Sequence, residues 1–496
     1  MYAAAVLVDR LSLWLWGTFF LDMVVAWRIN MARKLTRRSF LKVAGVSATT
    51  LAVAACAAPG PAAAPAEGDM AEGAPSAERV EIEFMNWWGS HREALMDEAI
   101  ANFHDMNSDV QVNNSVQPWD GRAERAATAV ASNNPPALIM TQRVETYQFA
   151  HENLILPIDD YVQASGIDPD AIFYAGEINN QRWQGQLYSF PLPTGGGNTG
   201  QYFYNKTVLA EAGLDPETPV ATWQELTEAS RAITQLDDLG VTVMGANLGG
   251  GAFGFGRWLY CNAGQFVSDD ARTIMFGSAE GVETLEWMVD FTNEINGGID
   301  NANEFFAGTS DTSADHPYYN EKLGFLFTGV WQFGHLQATD PDMWADTSTW
   351  GVGQMPYNSN NADAAHAGVA GLAGSWGYVI PVATPQDQAD AAYQWLEFFG
   401  THEQGGCLFL FNQGRPSPVA QCNENPAYYD DNPYWSTVLK SLASDVSVAV
   451  TPVQARINDV VGTIVDEAYF DQHSPADALA KGVEESQRIL DEFWAG

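Results

Sequence analysis

Basic residues are what this chain most lacks. Its 496 residues carry 23 Lys plus Arg against 62 Asp plus Glu, a formal charge of −39. A duplex or an anionic membrane surface would repel that balance, so nucleic-acid binding is excluded as a general function. Charged residues are only 17% of the chain, so the acidity reflects missing bases as much as abundant acids. Four cysteines are too few for a disulfide framework at this length. The eight histidines are scattered with no H-E-x-x-H pair, and no cysteine pair has zinc spacing, so neither a metal nor a cofactor is expected. A G-x-S-x-G elbow is missing, and no Walker lysine follows Gly195-Gly196-Gly197. Self-similarity with a period of about 20–50 residues is also missing, which excludes solenoids and propellers.

What is present is enough for a large folded body. Apolar residues are 46% and aromatics 12%, and a prior of about 150 residues per domain allows roughly three domains or two large α/β lobes.

The first 56 residues read as an address. Thr36-Arg37-Arg38-Ser39-Phe40-Leu41-Lys42 precedes a small, apolar run from Val43 to Ala55, and then Cys56. A basic start, a short apolar stretch and small residues before a cut site make an export signal. The segment resembles a twin-arginine signal led by Arg37 and Arg38, and Val53-Ala54-Ala55-Cys56 resembles a lipobox that would acylate Cys56. Residues 31–55 are therefore expected to be a lipoprotein signal. Residues 1–30 are either a false extension upstream of a start at Met31 or an extra anchor, since Leu11 to Ile29 is mostly apolar but contains Asp22. Residues 56–78, rich in Ala, Pro and Gly, read as a flexible tether that places the folded part outside the cell membrane. Beyond residue 55 the chain keeps 16 bases and 60 acids, few bases for a cleft that would bind an anion.

From Val80 onward strands and helices alternate. Val80 to Met85 has period two, Arg92 to Asn107 has helical spacing, Val110 to Val116 is a strand, Glu124 to Ser132 a helix, and Ala137 to Met140 a short apolar strand. That βαβ rhythm predicts a parallel sheet covered on both faces. Later, Tyr202-Phe203-Tyr204 leads into a helix ending at Gly213, and Thr222 caps a helix from Trp223 to Thr234. Further helices are predicted at 281–295, 386–400 and 474–492, with strands at 323–327 and 377–381.

Two motifs mimic other functions. Gly249, Gly251 and Gly254 satisfy G-x-G-x-x-G after a strand-like run, but the aromatic Phe253 to Trp258 stretch does not suit a turn around a pyrophosphate. Asp300-Asn301-Ala302-Asn303-Glu304 fails as a calcium loop because Ala302 and Phe305 stand where a ligand and a glycine are needed.

The positive signal is tryptophan near strand ends. Trp87 and Trp88 follow Phe84-Met85, Trp119 follows Val116, and Trp331 follows Phe325-Leu326-Phe327. In doubly wound sheets the carboxyl ends of strands line the ligand crevice. Flat indoles can cover the apolar face of a pyranose while polar side chains hydrogen-bond its hydroxyls. Trp287 and Trp395, at helical spacing within apolar faces, read as core instead.

Four stretches then carry a family likeness. They are Leu187-Tyr188-Ser189-Phe190-Pro191 through Thr222-Trp223-Gln224-Glu225-Leu226, Asn262-Ala263-Gly264-Gln265 to Gly281, Tyr319-Asn320-Glu321-Lys322-Leu323 to Trp331, and Gly371 to Phe399. In this order they resemble the family 1 extracellular solute-binding proteins, the lipid-anchored or periplasmic receptors of ABC importers for sugars and oligosaccharides, similar to maltose-binding proteins. The resemblance implies an α/β, two-lobed periplasmic-binding-protein fold of type II, each lobe a mostly parallel sheet flanked by helices, joined by a hinge. It implies lobe 1 over 79–195 and 378–416 and lobe 2 over 200–375 and 417–496, with crossings near 194–201, 375–381 and 414–418. Matched position by position, it implies ligand contacts at Trp88, Ser90, His91, Trp119, Asp120, Arg143, Glu145, Asn198, Phe255, Arg257, Trp258, Trp331 and Trp376. The acid-rich loop of the family is replaced by Gln142-Arg143-Val144-Glu145, and Arg456 stands about where maltose binders keep an aromatic platform, so a ligand of one to three rings is expected. The implied partners are a small carbohydrate and membrane permease subunits of an ABC importer, with the receptor itself a monomer that performs no chemistry. Rival readings are a secreted carbohydrate-active hydrolase, the same fold holding a polyol or glycerol phosphate, and a sensor that reports ligand to a membrane receptor.

Overall fold

The computed structural model describes residues 79–191, 199–370, 376–443 and 445–495. Arg37, Arg38, Cys56, the leader, the tether and Asn198 lie outside the described residues.

Strand β1 (Val80–Asn86) turns Ile82 and Phe84 inward and Glu81 and Glu83 outward, as its alternation requires. Helix α1 (His91–Met106) buries Met96, Ala99, Ile100 and Phe103, one stripe of a 3.6-residue period. Then follow β2 (Val110–Val116), α2 (Arg122–Val130), β3 (Leu138–Gln142) and α3 (Arg143–His151). β1 pairs in parallel with both β2 and β3. A fourth strand, Trp376–Val379, lies antiparallel on β3 and sets Trp376 opposite Gln142.

A second sheet contains β4 (Gln201–Asn205), β5 (Gln235–Asp237), β6 (Gly240–Ala246), β7 (Leu323–Leu326) and β8 (Trp350–Gln354), in the order β8-β4-β7-β6-β5. β6 and β7 are parallel, while β4 is antiparallel to β7 and β8, and β5 to β6. The mostly parallel sheet expected for each lobe therefore holds in the first and is mixed in the second. One cause is connectivity: β5 and β6 are joined by a tight turn, which forces them antiparallel. Helices α4 (Gly251–Tyr260) and α5 (Trp331–Thr339) follow β6 and β7. Thr222 does cap the helix Trp223–Ile233: its hydroxyl accepts from the Glu225 N–H, and the Glu225 carboxylate accepts from the Thr222 N–H.

Each sheet has its own core. Ile82, Phe84, Leu138, Ile139, Tyr378 and Trp395 pack under the first. Tyr202, Leu226, Trp258, Leu285, Ile464 and Leu490 pack on one face of the second, and Phe203, Met244, Trp350, Tyr428 and Trp435 on the other. These separate cores define two lobes. Trp376 and Val419 belong with the first core, slightly outside the span expected for it. The last passage between lobes is also broader than 414–418, because Phe411 packs with the second lobe, Val419 with the first and Tyr428 with the second again. A disulfide, Cys407–Cys422, ties this stretch together with 5.8 Å between Cα atoms. Among the described residues no helix is long and apolar enough to cross a membrane.

Candidate functional site

In the first lobe the candidate residues emerge where the parallel strands end. Trp87 follows β1 and anchors itself by donating its indole N–H to the Met140 carbonyl at 2.8 Å. Trp88 next to it is 2% exposed and stacks on Phe409 with 5.7 Å between centroids. Its edge meets Trp376 at 6.2 Å, and Trp376 in turn lies 5.7 Å from Trp119, which is 52% exposed. The three indoles form a continuous wall running from the interior to solvent. Arg122, in the first turn of α2, lays its guanidinium 5.3 Å from the Trp119 ring and 5.0 Å from Trp376, at cation–π distance.

Two carboxylate or guanidinium candidates turn out to be committed elsewhere. Glu145 is buried and accepts from Arg122 at 2.6 Å and from the Gln142 N–H at 2.9 Å, so it fixes Arg122 and the start of α3. Burial raises its pKa, and Arg122 opposes that shift. Arg143 donates to the Tyr147 hydroxyl at 3.0 Å and to the Val448 carbonyl at 2.5 Å, tying α3 to the C-terminal segment. Asp120 and Ser90 are exposed; Ser90 precedes α1 with φ 60°, a backbone region costly for a non-glycine residue.

In the second lobe β6 and β7 end together at a pocket of about 320 Å³, whose lining includes Asn247, Gly249, Phe253, Arg257, Ser310 and Phe327. Arg257 is buried there, with its guanidinium 4.8 Å over Phe253 and a 3.4 Å contact to the Thr328 carbonyl; burial lowers its pKa to about 10. Phe255 and Trp258, expected to touch ligand, do not reach that space. Both are 0% exposed, and Trp258 packs against Trp287 and Phe327 while donating to the Leu248 carbonyl at 2.8 Å. On a helix with so many apolar positions, the face carrying these two rings is the one that builds the core. Trp331 differs: it opens α5, is only half-buried, and has no ring partner among the described residues.

The glycine motif does sit between a strand and a helix, yet its glycines answer to the backbone. Gly249 has φ 78°, Gly251 φ 63°, and a Cβ on Gly254 would come within 3.0 Å of the Gly249 carbonyl carbon.

The lobes also touch through histidines. The His91 and His335 rings meet edge to face at 5.6 Å, and His335 lies one turn along α5 from Trp331. Arg92 and Arg415 place their guanidiniums 5.4 and 5.8 Å from the Trp88 ring. Burial first, then Arg92 and Arg415, lowers the His91 pKa to about 4; burial, Arg92, His91 and Arg415 lower His335 to about 3. Sequence reasoning passed over Arg92, Arg122, His335, Phe409 and Arg415. For the arginines a signal existed, since the chain beyond residue 55 has only 16 bases and these lie beside strand ends or chain crossings. Nothing in the sequence marks Phe409 or His335.

Comparison with known proteins agrees with this architecture. Residues 88–406 match the family described as bacterial extracellular solute-binding protein. The sn-glycerol-3-phosphate-binding periplasmic protein of Shigella flexneri is 22% identical over 424 residues, covering 80% of this chain and 90% of its own. Two solved structures share the fold. An ABC transporter solute-binding protein of Thermotoga lettingae bound with α-D-tagatose has TM-score 0.68 and 19% identity, over 83% of this chain and all of its own. An ABC substrate-binding protein of Listeria monocytogenes in complex with cycloalternan has TM-score 0.70 and 18% identity, over 84% of this chain and all of its own.

Proposed function

Because this chain belongs to the bacterial extracellular solute-binding proteins, we propose that it is an extracytoplasmic receptor that captures a carbohydrate of one to three rings and hands it to an ABC importer. The observation that carries the reading is the Trp88–Trp376–Trp119 wall with Arg122 laid across it. Indole faces cover the apolar side of a sugar ring, and the guanidinium supplies donors for its hydroxyls. Trp331 supplies an accessible indole from the other lobe, so a ligand held by both draws the lobes together. In this reading Cys56 carries the lipid, Arg37 and Arg38 direct export, and the receptor acts as a monomer. It changes no bonds, so incubation with glycosides yields no product. In this reading the lobes are 79–195 with 378–416 and 200–375 with 417–496.

A thermal-shift panel of mono-, di- and trisaccharides tests the assignment: at least one should raise Tm, and a flat panel together with product from a glycoside would favour the hydrolase instead. One observation supports a second reading, a glycerol phosphate or similar polyol ester. Arg92 and Arg415 stand together beside Trp88 near the junction of the lobes, and the Shigella flexneri relative is named for binding sn-glycerol 3-phosphate. That ester belongs in the same panel.

A further inference from the structure

We infer that the junction of the lobes at His91, Arg92 and His335 is an oxyanion subsite, built for a carboxylate or phosphate carried by the solute. The inference rests on the receptor reading above and adds the charge of what is received.

Orphaned polar atoms converge there. His91 Nε2, Arg92 Nε, and both ring nitrogens of His335 are buried without a hydrogen-bond partner among the described residues. His335 is 6% exposed, so solvent does not reach it freely. Leaving such atoms unmatched costs stability, and a group with several lone pairs would satisfy them together.

Among the described residues no carboxylate pairs with Arg92. The groups that act on the two imidazoles are Arg92, Arg415 and the partner imidazole, all of them basic. In a chain with 62 acids and 23 bases, a guanidinium beside two histidines and outside every ion pair among the described residues is a departure from composition. A buried cation without a counter-charge is unfavourable, and an incoming anion removes that penalty. The positive end of α1 adds to the same field, because Ser90 makes no side-chain cap and His91 and Arg92 form the helix's first turn.

The groups come from both lobes. His91 and Arg92 stand on α1 and His335 on α5, so an oxyanion between them bridges the lobes and favours closure. A neutral hydroxyl could pair with an imidazole but would leave the arginine charge uncompensated.

The test is isothermal titration of the full-length protein with matched ligands: galactose against galacturonate, glucose against glucose 6-phosphate, then sn-glycerol 3-phosphate and inorganic phosphate. The anionic member of a pair should bind at least about tenfold more tightly, and the carboxylate and phosphate arms show which oxyanion is used. Arg92→Gln and His335→Gln should each erase that preference while shifting the neutral partner less than about threefold. Equal binding of neutral and anionic partners, or a preference that survives both substitutions, overturns the subsite. Failure of the carbohydrate reading looks different: no sugar of either charge binds, yet phosphate or its glycerol ester still binds through Arg92 and upholds the subsite.

Discussion

The two lobes spend their tryptophans in opposite ways. In the first, Trp88, Trp119 and Trp376 follow or begin strands and stand among guanidiniums, forming a graded surface that ends in solvent at Trp119. In the second, Trp223, Trp258 and Trp287 sit on helices and stack on one another, Trp223 and Trp287 at 4.0 Å, to fill the space beneath a mixed sheet. The same residue type therefore builds an open surface or a closed core according to its register on an element. Trp331 departs from these three, and it too stands just beyond a strand end.

Substitutions can break or sharpen that contrast. Trp258→Ala should cost about 3–5 kcal/mol of stability, read by urea unfolding, because it empties a fully buried site. The same change at Trp119 should leave the unfolding midpoint nearly untouched, and equal losses would erase the distinction. Next in size, Cys407→Ser with Cys422→Ser should cost about 3 kcal/mol, the chain-entropy value for a closed loop of 15 residues. Hydrogen exchange should then quicken on both sides of the 411–428 passage, whereas Trp258→Ala should quicken exchange in the second lobe alone. Trp331→Ala should weaken ligand more than about tenfold, about 1.4 kcal/mol, with Tm unchanged; unaltered affinity would remove Trp331 from the site. The smallest effect is acid sensitivity at the junction. His91 and His335 titrate near 4 and 3 in the folded protein against 6.5 unfolded, so the unfolded chain takes up more protons as pH falls through 6.5. Stability from these groups is full above about pH 6.5 and drains away towards pH 4. His335→Gln should flatten that part of a Tm-against-pH curve, and a curve of unchanged slope would deny the histidines a role.

Much of the architecture was legible because it is periodic. The β1–α1–β2 alternation, the Thr222 cap and the helices near 281–295 and 386–400 follow from spacing and capping chemistry that act locally. The mixed second sheet was not, because the direction of β4 depends on a passage from the other lobe rather than on its own residues. The placement of Trp88 and Trp119 just past strand ends was readable, since the carboxyl edge of a parallel sheet is predictable from its rhythm. Phe255 and Trp258 were misplaced because resemblance fixes a position along α4 but not which side of the helix faces the core. The engagements of Glu145 with Arg122 and of Arg143 with Tyr147 and Val448 were not legible, since a side chain's partner across the fold leaves no trace in its neighbours along the chain.

The Cys407–Cys422 bond encloses Gly414 and Arg415 in the stretch that passes between the lobes. Such a clasp persists only where oxidant prevails over thiol reductants. Inside a reducing cytosol the Arg415 guanidinium rides on an unclasped segment; beyond it, the same segment is fastened. The redox state of the surroundings therefore decides how tightly this passage between the lobes is held.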